Sequence, residues 1–284
     1  MDNLTRDEAG LTEREFLAEY NPADWGRLSV SVDTVIFSID GSLQNENIRK
    51  LDEQKLTVLL VKRDAHPYLG KWLLPGGFVG LDESPETAAR RVLCDKTGLD
   101  DIYIEQLYTF GAPDRDPRMR IISCAYLSLI DRGGYSLSNS DKKLQTSWFE
   151  IEFGKGAQEI ILKSGNESLS IPVKSHVVKN GKIETSAYTV KDGSALAFDH
   201  ASLILEGILR LRGKTEYTDV VFNLMPEQFT ISQLQQIYEI ILGQKLLTPQ
   251  FRRQIASKVT GTDIYTSEKG HRPSQLFTYR GNKN

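Results

Sequence analysis

The sequence predicts a mixed α/β sandwich with a β-rich insertion, followed by a winged helix-turn-helix domain. Three observations lead there. Between residues 29 and 149, apolar β-branched runs alternate with polar loops around one well-signalled helix at 85–97. From 150 to 195 the texture changes to short strands linked by Ser-Gly-Asn, Lys-Asn-Gly and Lys-Asp-Gly turns. Beyond residue 200 the chain reads as helical, and it ends in two helices joined by a tight turn and then a hairpin. The expected domains are 1–199, with the insertion at about 150–195, and 200–284.

A chain of 284 residues accommodates two ordinary domains, and its hydrophobic fraction of 39% and charged fraction of 26% are those of a soluble globular protein. No apolar run approaches membrane-spanning length, and Met-Asp-Asn-Leu-Thr-Arg-Asp-Glu is no signal peptide. Cys94 and Cys124 lack CxxC spacing, so they read as reduced thiols of a cytoplasmic protein. The net charge of −3 hides an asymmetry. Residues 200–284 hold 11 Lys+Arg against 7 Asp+Glu, and within 245–284 the count is 8 against 2. A basic C-terminal segment on an acidic protein suggests a polyanion contact.

Taken in order, residues 11–20 form a short helix candidate, with Thr12 and Glu15 spaced as a capping box and Pro22 ending it. Residues 29–39 are a β-branched strand, 40–53 a polar loop, and 56–63 an almost wholly apolar strand buried on both faces. A loop at 65–74 holds Trp72 and runs into the turn Pro75-Gly76-Gly77. Ser84 caps the helix that follows, Pro85 starts it, Glu86 suits its positive first turn, and Gly98 stops it. Strands at 102–110 and 120–129 flank a polar loop at 111–119, and Trp148-Phe149 closes the sandwich. Residues 158–163, 168–174 and 182–190 are the strands of the insertion, expected as a hairpin or small subdomain.

The second half starts with a helix at 200–212 and a short one at 215–224 before Pro226. Thr230 caps a helix to Leu242 with Ile231, Leu234, Ile237, Tyr238 and Ile241 on one stripe, and Gly243 stops it. Thr248 is expected to cap, and Pro249 to start, a helix to about 258. Strands at 259–265 and 274–279 then enclose a polar tip.

From Gly77 onward, Glu83, Arg91, Leu93, Gly98 and Leu99 fall in a register that resembles the Nudix box, G-x5-E-x7-R-E-U-x-E-E-x-G-U. In active members of that family, the glutamates of R-E-U-x-E-E hold divalent metal beside a substrate pyrophosphate. Here those slots are Val92, Asp95 and Lys96. Magnesium needs hard anionic oxygens; valine offers none, and an ammonium repels the ion. The box therefore reads as a scaffold that has lost its catalysis and holds no metal, the alternative being a weak cation held by Glu83 and Asp95 together.

Further strings extend the resemblance over nearly the whole chain. They include Val32-Asp33-Thr34-Val35-Ile36-Phe37, Lys71-Trp72-Leu73-Leu74-Pro75-Gly76-Gly77-Phe78, Leu196-Ala197-Phe198-Asp199-His200, Phe251-Arg252-Arg253 and Arg272-Pro273-Ser274-Gln275-Leu276. Together they resemble the Nudix-related transcriptional regulators of bacteria, which join a Nudix-like sensor to a C-terminal winged helix. The resemblance implies a homodimeric repressor of NAD-related or pentose-related genes. Its operator affinity would change with a nucleotide-sugar effector, commonly ADP-ribose, and it would need no cofactor. The competing reading is an ADP-ribose pyrophosphatase with an accessory winged helix.

For the effector, the candidates are Arg63 at a strand end and Arg115 and Arg118 in the 111–119 loop, since arginine offers bidentate contacts to phosphate. Trp72 and Phe110 are candidate stacking partners for adenine. The bland alternative has the loop arginines bracing their own loop through Asp116, and Trp72 in the core. His200 reads as a helix-start or hinge residue. For DNA, Phe251, Ile255 and Val259 form a buried stripe, which turns Arg253 and Gln250 toward the major groove and sets Arg252 to one flank. Thr248 at the helix start, with Lys269 and Arg272 at the wing tip, completes the set of phosphate candidates.

Overall fold

The computed structural model describes residues 27–39, 54–98 apart from the Lys96 side chain, 102–131, 145–154, 158–266 and 273–281, with Thr12 and Glu15. The expected helix at 11–20 and the loop at 40–53 otherwise lie outside these residues. The capping box itself is formed: Thr12 N–H donates to Glu15 Oε2 at 2.8 Å, and Glu15 N–H donates to Thr12 Oγ1 at 3.3 Å.

Ten strands make one sheet: β1 (Ser29–Ile39), β2 (Leu56–Lys62), β3 (Trp72–Leu73), β4 (Gly76–Phe78), β5 (Tyr103–Phe110), β6 (Ile121–Leu129), β7 (Thr146–Phe153), β8 (Glu159–Ser164), β9 (Glu167–Asn180) and β10 (Ile183–Val190). Their order is β10-β9-β8-β7-β2-β1-β6-β5, with β3 on β2 and β4 on β1. The long β1 runs parallel to β6 and antiparallel to β2. Gly76 and Gly77 form no turn, because they pair with Asp33 and Val32 of β1. The insertion is not a separate subdomain either. Ile160, Leu162, Ile171 and Val173 join the main core, so β8, β9 and β10 extend the sheet past β7.

Helix α1 (Pro85–Thr97) covers one face, capped by Ser84 and ended by Gly98 in the left-handed region. Its Ala88, Ala89 and Val92 pack with Val32 and Tyr126, while Leu93 packs with Ile36, Leu59 and Trp148. Helix α2 (His200–Tyr217) covers the other face. It is longer than the sequence suggested and runs through Gly213, because Leu211 and Thr215 on either side are buried. At Gly207 a Cβ would sit only 3.0 Å from Val35 Cγ1, so the absent side chain lets α2 approach β1 closely.

The second half follows. A 3-10 turn at Val220–Leu224 precedes helix α3 (Ile231–Leu242), which has a full capping box at Thr230 and Gln233 and stops at Gly243. Helix α4 is Thr248–Ile255 with Leu247 at its cap; Thr248 is its first residue rather than its cap. Strands β11 (Val259–Tyr265) and β12 (Gln275–Tyr279) form the wing, and Phe229 bridges to Phe277. Ile204, Ile208 and Leu211 of α2 belong to the same buried cluster as Val35 and Phe37 of the sheet and Leu234 and Ile237 of α3. The helix that opens the second half thus shares its core with both halves.

Gly76 is the tightest point. A Cβ there would lie 2.2 Å from Asp33 Oδ1 and 2.8 Å from the Val32 carbonyl oxygen, and that carbonyl belongs to the β1 backbone. Gly76→Ala is therefore expected to lower stability by about 1–3 kcal/mol. A urea midpoint equal to the parent's would refute this.

Candidate functional site

A cavity of about 190 Å³ opens between the start of β1, β4, the 111–119 loop and the start of α2. Its floor is built around Asp33, a carboxylate in the middle of an apolar strand and only 7% exposed. Ser123 Oγ donates to Asp33 Oδ2 at 2.5 Å, and Arg115 Nη2 lies 3.4 Å from the same oxygen. His200 Nε2 is 3.5 Å from Oδ1. The other imidazole nitrogen, Nδ1, accepts the Leu74 N–H at 2.9 Å, which assigns the ring proton to Nε2. His200 is fully buried, and that burial holds its pKa below the usual 6.5 despite the pull of Asp33 and Asp199.

All three predicted arginines reach this cavity, each in a different state. Arg115 is buried and forks onto Asp199, Nε to Oδ2 at 2.9 Å and Nη2 to Oδ1 at 2.7 Å. Burial alone would lower its pKa; the Asp199 bonds and the charges of Asp199 and Asp33 outweigh that and raise it. Arg118 forks onto Asp116 within its own loop, and this bond lifts its pKa. Arg63 has no ion pair among the described residues, and its side chain donates to the carbonyl oxygens of His66 and Pro67. Burial and the neighbouring Arg118 lower its pKa, and the opposing charges of Asp116 and Asp64 do not make up for them. The bracing ion pair of the bland alternative exists at Arg118, whereas Arg115 pairs with Asp199 and Asp33 outside its own loop; both guanidinium groups still line the cavity.

The two aromatic candidates are corrected. Trp72 is 4% exposed, set edge-on to Phe149 at 4.9 Å, and its indole N–H donates to Glu167, so no face is left for a base. Phe110 packs edge-on to Tyr108 at 5.4 Å and does not line the cavity. The ring in the cavity is Phe198, lying 5.2 Å from the Arg63 guanidinium and 5.6 Å from that of Arg118. Its φ is +53°, a left-handed conformation that a phenylalanine holds only under constraint. Sequence reasoning overlooked Asp33, Phe198 and Asp199 as site residues. The available signal was Asp33 itself, since a carboxylate inside an apolar strand needs partners.

In the box, Glu83 is already engaged. Its Oε1 accepts from Arg91 at 2.6 Å and from the Gly80 N–H at 2.8 Å, and these bonds pull its pKa down. Val92 is 4% exposed, within the α1–sheet core.

On the reader, Phe251 and Ile255 are buried while Thr248, Gln250, Arg252 and Arg253 are exposed. The α3–α4 turn is fixed by Leu246 N–H on Glu239 Oε1 at 3.0 Å and by Gln235 Nε2 on the Leu246 carbonyl at 2.9 Å. Tyr238 meets Phe251 edge-on at 5.1 Å. Lys269 and Arg272 lie outside the described residues.

Comparison with known proteins agrees in both halves. The NUDIX domain model matches residues 47–157, and the model of the NrtR DNA-binding winged helix domain matches 221–279. The ADPR responsive transcriptional repressor NtrR of Acinetobacter baylyi is 32% identical over 94% of this chain and 88% of its own length. The chain belongs to the NrtR family of Nudix-related transcriptional regulators. Among solved structures, a MutT/nudix family protein from Enterococcus faecalis matches at TM-score 0.70 and 27% identity, over 95% of this chain and 94% of that one. NrtR from Shewanella oneidensis in complex with a 27mer DNA matches at 0.60 and 29%, over 88% and 93%. The NrtR-type architecture therefore extends over both halves of the chain.

The buried His200 has a consequence for stability. The unfolded chain takes up a proton near pH 6.5 and the folded chain does not. Stability is then fully present above that pH and is lost as the pH falls below it. Between about pH 7.5 and about pH 5, the parent's urea midpoint should fall further than that of His200→Asn, which keeps an acceptor for the Leu74 N–H. Equal drops in the two proteins would remove His200 as the cause.

Proposed function

We propose that this protein is an operator-binding repressor whose Nudix-type half takes ADP-ribose, or a closely related nucleotide sugar, without cleaving it. The observation that carries this reading is Arg63, a cation without an ion pair among the described residues, facing Arg118 across Phe198 in a cavity. Asp116 and Asp64 act on Arg63 without a direct ion pair, and a diphosphate offers it paired oxygens that accept bidentate bonds. The relative from Acinetobacter baylyi is named as ADPR-responsive and as a repressor, and the Shewanella NrtR structure carries DNA. Both names support the reading here. A two-fold dimer on a palindromic operator is part of it.

The metal chemistry of a Nudix enzyme does not fit these residues. Val92 is packed among Val32, Ala88, Ala89 and Tyr126, Glu83 is neutralised by Arg91, and position 96 carries an ammonium. Calorimetry should show ADP-ribose binding, weakened about tenfold or more by Arg63→Ala and by Arg118→Ala. AMP release with Mg²⁺ or Mn²⁺ should stay at background. Turnover at an ordinary enzyme's rate, abolished by chelation, would replace this reading with the pyrophosphatase.

On the DNA side, Arg253 projects opposite the buried stripe of α4 and Arg252 leans to its flank. With an operator selected from genomic fragments, Arg253→Ala should relax specificity at one base pair per half-site, by about 1–3 kcal/mol. Arg252→Ala should weaken all sequences alike and reduce the salt slope by about one unit. Titrations of both variants against operator and scrambled duplexes at several salt concentrations separate the two roles. No effect from either change, with the fold intact, would disqualify α4 as the reader.

A further inference from the structure

The turn that starts α2 is built into the wall of the cavity. Asp199 occupies the cap position, yet its side chain makes no capping bond; the His200 and Ser202 N–H groups go to the carbonyls of Ala197 and Asp199 instead. Its carboxylate is turned instead to the Arg115 fork. Phe198, one residue earlier, is held at positive φ with its ring against Arg63 and Arg118. His200, one residue later, faces Asp33. Three consecutive residues are therefore each fixed by a group of the cavity.

The far end of the same helix holds the reader. Arg212 Nε donates to the Ile241 carbonyl at 2.9 Å, at the C-terminus of α3, while its guanidinium lies 4.2 Å from the Phe153 ring of β7. Lys214 is bonded to Glu105 and Tyr103 of β5. Just past the helix, Asp219 pairs with Lys258 at 2.6 Å and accepts from Tyr279 OH of the wing at 3.0 Å. Eighteen residues of continuous helix, about 27 Å long, thus join the cavity to the C-terminal half.

We infer that the Arg115–Asp199 ion pair is the element through which occupancy of the cavity changes operator affinity. This rests on the reading that the cavity takes a phosphorylated effector. A diphosphate competes with Asp199 for the Arg115 fork, since both offer paired anionic oxygens. Asp199, once released, turns to the N–H groups of its own helix, where an aspartate cap is favoured. Phe198 is freed from its left-handed conformation at the same time, and α2 resets against the sheet. The shift is delivered to α3 through Arg212 and to the wing through Asp219.

The test uses the full-length protein and two measurements: ADP-ribose affinity by calorimetry, and operator affinity with and without saturating ADP-ribose. In the parent, the two operator affinities should differ by about fivefold or more. Asp199→Ser keeps a capping side chain and removes the partner of Arg115. It should bind ADP-ribose more tightly because the competitor is gone, and show a ratio of its own two operator affinities within about twofold of unity. A merely structural role for Asp199 would weaken both affinities and leave the ratio alone. A parental ratio in Asp199→Ser overturns the inference. Should serine unfold the protein, the isosteric Asp199→Asn decides by the same ratio. If the parent itself does not bind ADP-ribose, the effector assignment fails first and this inference falls with it.

Discussion

A carboxylate buried in the central strand sets the conditions for everything around it. Asp33 sits between Val32 and Thr34 in a strand otherwise sealed on both faces. An isolated charge there would be costly, so partners have to be brought to it. They come from four parts of the chain: Ser123 from β6, Arg115 from the 111–119 loop, His200 from α2, and Gly76 of β4, which leaves room for the carboxylate itself. The same demand draws Asp199 in, because one carboxylate at 3.4 Å does not satisfy the Arg115 fork. Removing one member of such a network leaves the others buried and unpaired, at about 3–5 kcal/mol. Thus a single polar residue in an apolar strand both shapes the cavity and orients the helix leading to the DNA-reading half.

How much of this was legible in the sequence depended on range. Ser84, Gly98, Thr230 and Gly243 announce helix ends through bonds within a few residues of themselves, and the structure places them there. The start of α4 was misplaced by one residue because Pro249 suits either of the first two helical positions equally well. Gly213 read as a boundary because its low helix propensity is a local property; burial of Leu211 and Thr215 overrides it. The hairpins of 150–195 were visible, but not that they pair onward from β7, since pairing partners leave no local mark.

The site divides the same way. Three arginines on loops and strand ends were readable as phosphate candidates from chemistry alone, and all three line the cavity. Asp116 as the partner of Arg118 was readable too, but Asp199 was not, because it lies 84 positions from Arg115, nor was His200, which meets the Leu74 N–H across 126 positions. Trp72 shows the converse error. A tryptophan in a loop between glycines looks available to a ligand, yet Glu167 and Phe149, both distant in the chain, take its N–H and its edge.

The box helix shows why part of a catalytic motif persists in a protein proposed not to catalyse. Gly77, Glu83, Arg91 and Gly98 keep the family residues, and each has work to do in the fold. A Cβ at Gly77 would come within 3.2 Å of Val92. Glu83 holds the Gly80 N–H and Arg91, and Arg91 in turn donates to the Phe78 carbonyl at 3.2 Å. Gly98 supplies the left-handed stop. Phe78, so placed, forms a wall of the cavity with the Arg118 guanidinium 5.6 Å from its ring. Val92 places an apolar side chain in the core between α1 and the sheet. The box residues that shape the cavity match the family pattern while position 92 is apolar, the division expected under the proposed reading, in which the domain binds a phosphorylated ligand without breaking it.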